Sequence, residues 1–88
     1  MECRIWLQKG RYTLVSQEDY EALLEWRWWA KFFRKRWVAV RLTKGRRRKT
    51  IFMHRRIMGL ELGERGRVRH KNGDTLDNRR ENLEVVLG

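Results

Sequence analysis

From Trp26 to Arg56 the chain carries thirteen Lys or Arg residues and no Asp or Glu, and Trp28, Trp29, Phe32, Phe33 and Trp37 interrupt the basic run. A basic stretch without aromatics would stay a solvated arm, whereas large apolar rings anchor the same charges to a core. The segment must therefore fold while carrying uncancelled positive charge. The rest of the chain does not neutralise it: 22 Lys and Arg stand against 11 Asp and Glu, a formal charge of +11. Such an excess costs self-repulsion and favours a polyanionic partner, nucleic acid first among them. Acidic residues lie before the block, at Glu18, Asp19, Glu21 and Glu25, and after it, from Glu61 to Glu84. Opposite charge is thus expected on different faces.

Eighty-eight residues allow one modest core, so a single domain spanning 1–88 is expected. Cys3 is the only cysteine, which excludes an intramolecular disulfide and a cysteine-ligated zinc finger and suits a reducing, cytoplasmic setting. Apolar runs are only a few residues long, so neither a secretion signal nor a membrane span is expected, and no membrane partner.

Local patterns predict an α+β fold. Arg4 to Leu7 and Arg11 to Val15 read as two strands around Gly10. Ser16 starts a helix over Gln17 to about Trp26, with Asp19 completing a capping arrangement and Tyr20, Leu23 and Leu24 facing inward. Trp28 to Phe33 and Arg36 to Leu42 read as strands, the second turning Val38, Val40 and Leu42 to the core and Trp37, Ala39 and Arg41 to a nucleic acid. A turn at Lys44-Gly45 carries Arg46, Arg47, Arg48 and Lys49, a loop suited to phosphate contacts, before a strand over Thr50 to Met53. A short helix or an irregular turn over Met53 to Met58, left at Gly59, should bury Ile57 and Met58. Beyond a loop from Glu61 to Gly66, a strand over Val68 to His70, a turn at Asn72-Gly73, a short helix over Asp77 to Asn82 and a last strand over Leu83 to Leu87 are expected.

The stretch 53–86, MHRRIMGLELGERGRVRHKNGDTLDNRRENLEVV, carries the segments Met53-His54-Arg55-Arg56-Ile57-Met58, His70-Lys71-Asn72-Gly73-Asp74, Leu76-Asp77-Asn78-Arg79-Arg80 and Glu81-Asn82-Leu83. In this order and spacing they resemble the HNH endonuclease family, particularly small phage and intron-associated homing endonucleases. The resemblance implies a sheet-and-helix lead-in over 1–52 and a ββα metal-motif region over 53–88. It implies that His70 is the general base of metal-dependent DNA cleavage, with Mg or Mn as cofactor, and that Asn82 supports the motif's geometry. The chemistry suits those residue types: neutral imidazole accepts a proton from water near neutral pH, and a hard cation stabilises charge on phosphate and leaving oxygen.

The departures from the family pattern bear on the same site. Members place an Asp metal ligand directly before that histidine, and here Arg69 stands in its place. A guanidinium has no acceptor, so Arg69 is expected to occupy the vacant metal position, to contact a phosphate or to point elsewhere. The second ligand, an Asn or His in a helix after the strand at 83–86, has no counterpart before Gly88, which makes the expected region degenerate and truncated. Asn72, Asp74, Asp77 and Asn78 are expected in loop hydrogen bonds, with Asp77 capping the helix that follows. The expected function is that of an HNH-derived DNA-binding protein with impaired or absent nuclease activity and no resident metal. Its expected phosphate contacts are Arg46, Arg47, Arg48, Lys49, Arg69, Arg79 and Arg80. The alternatives are a divalent-metal-dependent endonuclease using His70 and Asn82 with a rearranged ligand set, a phage-like regulatory protein that inhibits a host protein, and an RNA-binding module that uses aromatic stacking.

Overall fold

The computed structural model describes residues 2–87; Met1 and Gly88, which bound the expected domain, lie outside them. The elements run β1 (Glu2–Trp6), β2 (Tyr12–Ser16), α1 (Gln17–Leu24), β3 (Trp29–Phe33), β4 (Arg36–Leu42), β5 (Thr50–Phe52), α2 (Met53–Ile57), β6 (Arg67–His70), β7 (Asp77–Asn78), a 3-10 turn (Arg80–Asn82) and β8 (Leu83–Val86). This is an α+β fold in which small, largely antiparallel sheets pack with helices. The sheets have the orders β1-β2-β7, β3-β4-β5 and β6-β8. All pairings are antiparallel except β2 with β7, where Leu14 and Val15 run parallel to Asp77 and Asn78.

One apolar cluster joins the layers: Ile5 and Val15 from the first sheet, Leu23 and Trp28 from α1 and its exit, Ala39 from β4, Met53 and Ile57 from α2, and Leu83 from β8. Met58, expected inward with Ile57, is only partly buried against this cluster. The helix α1 stops at Leu24, short of Trp26, because its last turn tightens: Glu25 N donates to Ala22 O and Trp26 N to Leu23 O. The Trp28 indole Nε1 also donates to Leu23 O at 2.8 Å, so a core side chain satisfies a carbonyl at the helix end. Leu23 is buried and Tyr20 packs beside it, three residues away on the same face. Leu24, expected inward, is half exposed because one further residue rotates it about 100° from Leu23.

The expected capping arrangement at Ser16 does not form. Ser16 makes no side-chain bond to the helix; its Oγ accepts from Arg80 N, and Asp19 pairs with the Arg80 guanidinium. Both polar groups tie the helix start to the C-terminal turn rather than to the helix itself.

Strand β4 corrects the expected faces. Ala39 is fully buried in the central cluster and Arg41 is nine-tenths buried, so the two side chains do not form the open face expected; Arg41 reaches only the lining of a cleft. Val38 and Val40 are also buried, on the opposite face. β4 is the middle strand of its sheet and is covered on both sides, so alternation cannot single out one buried face. The helix expected over Asp77 to Asn82 is a two-residue strand followed by a 3-10 turn. There Leu14 N donates to Leu76 O, and the parallel pairing with β2 captures the backbone a helix would have used.

The candidate nucleic-acid interface

Strands β6 and β8 flank a turn region, residues 71–82, that is held by its own polar side chains. Gly73 N donates to His70 O, closing the turn, and Gly73 has φ of +81°, which suits a residue without Cβ. Asn82 is buried; its Nδ2 donates to Asn72 Oδ1 and to Asp77 O, and its Oδ1 accepts from Asn72 N. Its hydrogen-bonding capacity thus goes to holding the turn that follows His70. Asp77 accepts from Arg79 Nε and Nη2 and from Asn72 Nδ2. The Arg79 hydrogen bond is the main reason its carboxyl lies below its usual range, although burial pulls the other way. Asp74 accepts from Leu76 N. The oxygen groups near His70 in sequence are therefore engaged in loop structure.

A second set of bonds orients His70. Thr13 Oγ1 donates to Leu76 O at 2.7 Å, so the hydroxyl receives the 2.9 Å bond from Asn78 Nδ2. Asn78 then presents Oδ1 to His70 Nε2, 2.8 Å away. The neutral ring must carry its hydrogen on Nε2, leaving Nδ1 as the nitrogen able to accept a proton. Thr13 and Asn78 are fully buried, and neither was assigned this role from sequence. The bond between them joins positions 65 residues apart, which no local pattern signals.

His54 meets His70 edge to face, with ring centroids 5.1 Å apart. Its Nδ1 is buried without a hydrogen-bond partner, and burial first, then the charges of His70 and Arg55, lowers its pKa to about 4. His54 is thus a neutral wall of the site at physiological pH. The two rings face an open cleft of about 590 Å³ whose lining includes Arg34, Arg36, Arg55, Arg67, Thr75, Phe33 and Phe52 and no carboxylate. Two of those guanidiniums are anchored: Arg36 Nη1 donates to Gly73 O, and Arg55 donates to Gly66 O and Glu64 O. Thr75 Oγ1 donates to Trp37 O, fixing the turn against β4.

Arg34 reaches the cleft from a two-residue connection between β3 and β4, in which Arg34 and Lys35 have φ of +51° and +66°. This is the geometry of the hairpin turn that normally selects Asn-Gly, and side chains with Cβ pay a conformational cost there. A strained turn thus carries Arg34 into the cleft lining, with Lys35 next to it in the chain.

Arg69 points elsewhere. His70 lines the cleft and Arg69 does not. Arg69 opposes Glu84 and donates Nε and Nη2 to Glu84 Oε2, at 3.1 and 2.6 Å. An exposed pair of this kind stabilises by about 0–1 kcal/mol. Arg80 donates to Asp19 at 2.7 and 2.9 Å, and Arg79 to Asp77 at 2.7 Å, so both expected phosphate contacts already engage carboxylates. Arg46, Arg47, Arg48 and Lys49 lie in an exposed loop between β4 and β5, closed by Thr43 N to Lys49 O and Lys49 N to Thr43 Oγ1.

The resident metal that the motif implies is not matched by these residues. Among the described residues no group of three or more His, Cys, Asp or Glu is arranged to hold a metal ion. The cleft offers imidazoles and guanidiniums, whereas hard divalent cations take oxygen donors.

Residues 52–86 match the family described as HNH endonuclease, which covers β6, the turn and β8 and both histidines. The partial match, together with the missing metal-holding cluster among the described residues, is consistent with a degenerate HNH-like domain. Neither a curated protein nor a solved structure matches the chain. Among the described residues no helix is long and apolar enough to cross a membrane.

Proposed function

We propose that the protein binds the phosphate backbone of duplex DNA with little sequence preference, and that metal-dependent cleavage at His70 is impaired or absent. The observation that carries this reading is the cleft around His54 and His70, lined by four arginines and no carboxylate. Such a lining attracts phosphate and repels the cation that HNH-type hydrolysis would need. The strained turn that presents Arg34 and Lys35 supports the same reading, since backbone strain collects where function requires a side chain in a particular place. The exposed Arg46 to Lys49 loop extends the basic surface and supplies further phosphate contacts that carry no base information. Arg69, Arg79 and Arg80 contribute only after exchanging a carboxylate for a phosphate. The setting that accompanies this reading is the cytoplasm, where Cys3 remains a free thiol.

Fluorescence anisotropy on labelled duplexes across a salt series tests the binding half. Affinity should fall with salt at a log-log slope of about 0.9 per phosphate neutralised, and replacing Arg46, Arg47 and Arg48 together by Ala should flatten that slope. Binding that is absent at low salt would remove DNA from the account and favour the host-protein alternative. Preference for unpaired RNA would favour aromatic stacking.

A further inference from the structure

We propose that a second cleft, separated from the His70 cleft by Phe52 and Arg55, is a phosphate site built on Arg41 and Arg56. The cleft is about 350 Å³, and its lining includes Thr50 and Glu61 besides the two arginines. Arg41 is nine-tenths buried, and its Nε makes no hydrogen bond. One face of its guanidinium lies on the Trp26 ring, Cζ to centroid 3.8 Å, and Nη1 reaches only Leu42 O, at 3.5 Å. Buried guanidinium groups are ordinarily paired with carboxylates. Glu61 forms no ion pair with Arg41 or Arg56 among the described residues, and Arg55 is already held by the carbonyls of Gly66 and Glu64.

The neighbouring charge has the same sign. Burial first, and the Arg56 charge second, depress the Arg41 pKa from its ordinary value. An anion between the two guanidiniums supplies what the fold leaves out: acceptors for the buried donor and a counter-charge for both cations. A tetrahedral oxyanion fits because planar guanidinium forks bind it through paired N–H bonds, and the Thr50 hydroxyl adds a further donor. Trp26 holds the Arg41 plane in place, so little ordering remains to be done on binding. The phosphate is a backbone phosphate of the same DNA, and this part of the assignment rests on the function proposed above.

The test titrates inorganic phosphate into the full chain at constant ionic strength, with chloride as the matched control, and follows arginine Nε–H resonances and Trp fluorescence. A saturable shift of the Arg41 signal is expected with phosphate only. Arg56→Ala, at an exposed position, should weaken it at least tenfold, and Arg41→Lys, which keeps the charge and loses the fork, should do the same in a chain whose circular dichroism is unchanged. An unsaturable shift, one that chloride reproduces, or wild-type affinity in Arg56→Ala overturns the site. Displacement of phosphate by a short duplex supports the backbone assignment; a duplex that binds and leaves phosphate in place overturns it and makes free phosphate the ligand. If phosphate saturates the site and no duplex binds at all, the DNA reading fails and the Arg41 site stands.

Discussion

Thr13→Val removes one oxygen and almost no volume, and it isolates the polar chain that orients His70. The hydroxyl donates to Leu76 O and accepts from Asn78 Nδ2, and both side chains are fully buried. Leu76 O keeps the Leu14 N bond, so it is not orphaned. Two bonds at a net ~1 kcal/mol each, and an amide donor left without a partner at ~1–3 kcal/mol, are offset by the added apolar methyl at ~0.8 kcal/mol. The expected loss is about 2–4 kcal/mol, which for a domain of this size moves the urea midpoint down by about 2 M. Trp fluorescence during urea unfolding measures it, and an unchanged m-value would attribute the loss to the native state. The second readout is the His70 tautomer: with Asn78 free to rotate, the hydrogen should leave Nε2 in part of the population, visible in imidazole ¹⁵N shifts. A loss under ~0.5 kcal/mol with an unchanged tautomer would refute the reasoning that Thr13 sets the His70 ring.

Two further perturbations follow from strain and burial. Lys35→Gly should stabilise the chain by about 1 kcal/mol by relieving the φ of +66°, while Arg34→Asn should relieve strain at the same turn and weaken DNA binding; destabilisation by Lys35→Gly in urea melts would contradict the turn assignment. For His54, the folded pKa of about 4 lies below the unfolded value of 6.5, so its neutral burial stabilises fully above pH 6.5 and that contribution is lost as pH falls toward 4, by about 3 kcal/mol in all. Asp77 has the same sign at lower pH, present above its unfolded value of 3.8 and lost as acid protonates it. Urea midpoints between pH 7 and 4.5 should therefore fall for the wild type and stay flatter for His54→Gln; a flat wild-type profile would place the imidazole in solvent.

Much of the element order is legible in the sequence because it rests on local signals, glycine and Asn-Gly turns and alternating apolar residues, whereas between a short helix and an irregular turn after Phe52 only the structure decides, for the helix. The buried face of β4 is not, since Val38, Ala39 and Val40 are all apolar and alternation distinguishes faces only where one of them is wet. The region after Thr75 reads as a helix locally and becomes a strand because β2, more than sixty residues away in sequence, offers it backbone partners. The motif draws attention to His70 and Asn82; His54 and Asn78 also lie in its segments, yet their roles beside the His70 ring, and that of Thr13 outside the motif, emerge only through tertiary contacts. Charge counting suggests that Arg69, Arg79 and Arg80 are available for phosphate; it cannot anticipate that Glu84, Asp77 and Asp19 lie within reach of them.

The central claim is that this HNH-like site meets phosphate without cutting it, and cleavage itself tests that most directly. Supercoiled and linear duplex DNA would be incubated with the wild-type chain, His70→Ala and Arg69→Asp in Mg²⁺, Mn²⁺ or EDTA, and products resolved on gels. We expect wild-type cleavage no faster than His70→Ala in any cation, and no gain in Arg69→Asp, whose carboxylate would stand opposite Glu84 rather than in the cleft beside His70. Wild-type cleavage that requires Mg²⁺ or Mn²⁺ and disappears in His70→Ala would contradict the account and make the protein an endonuclease that uses His70.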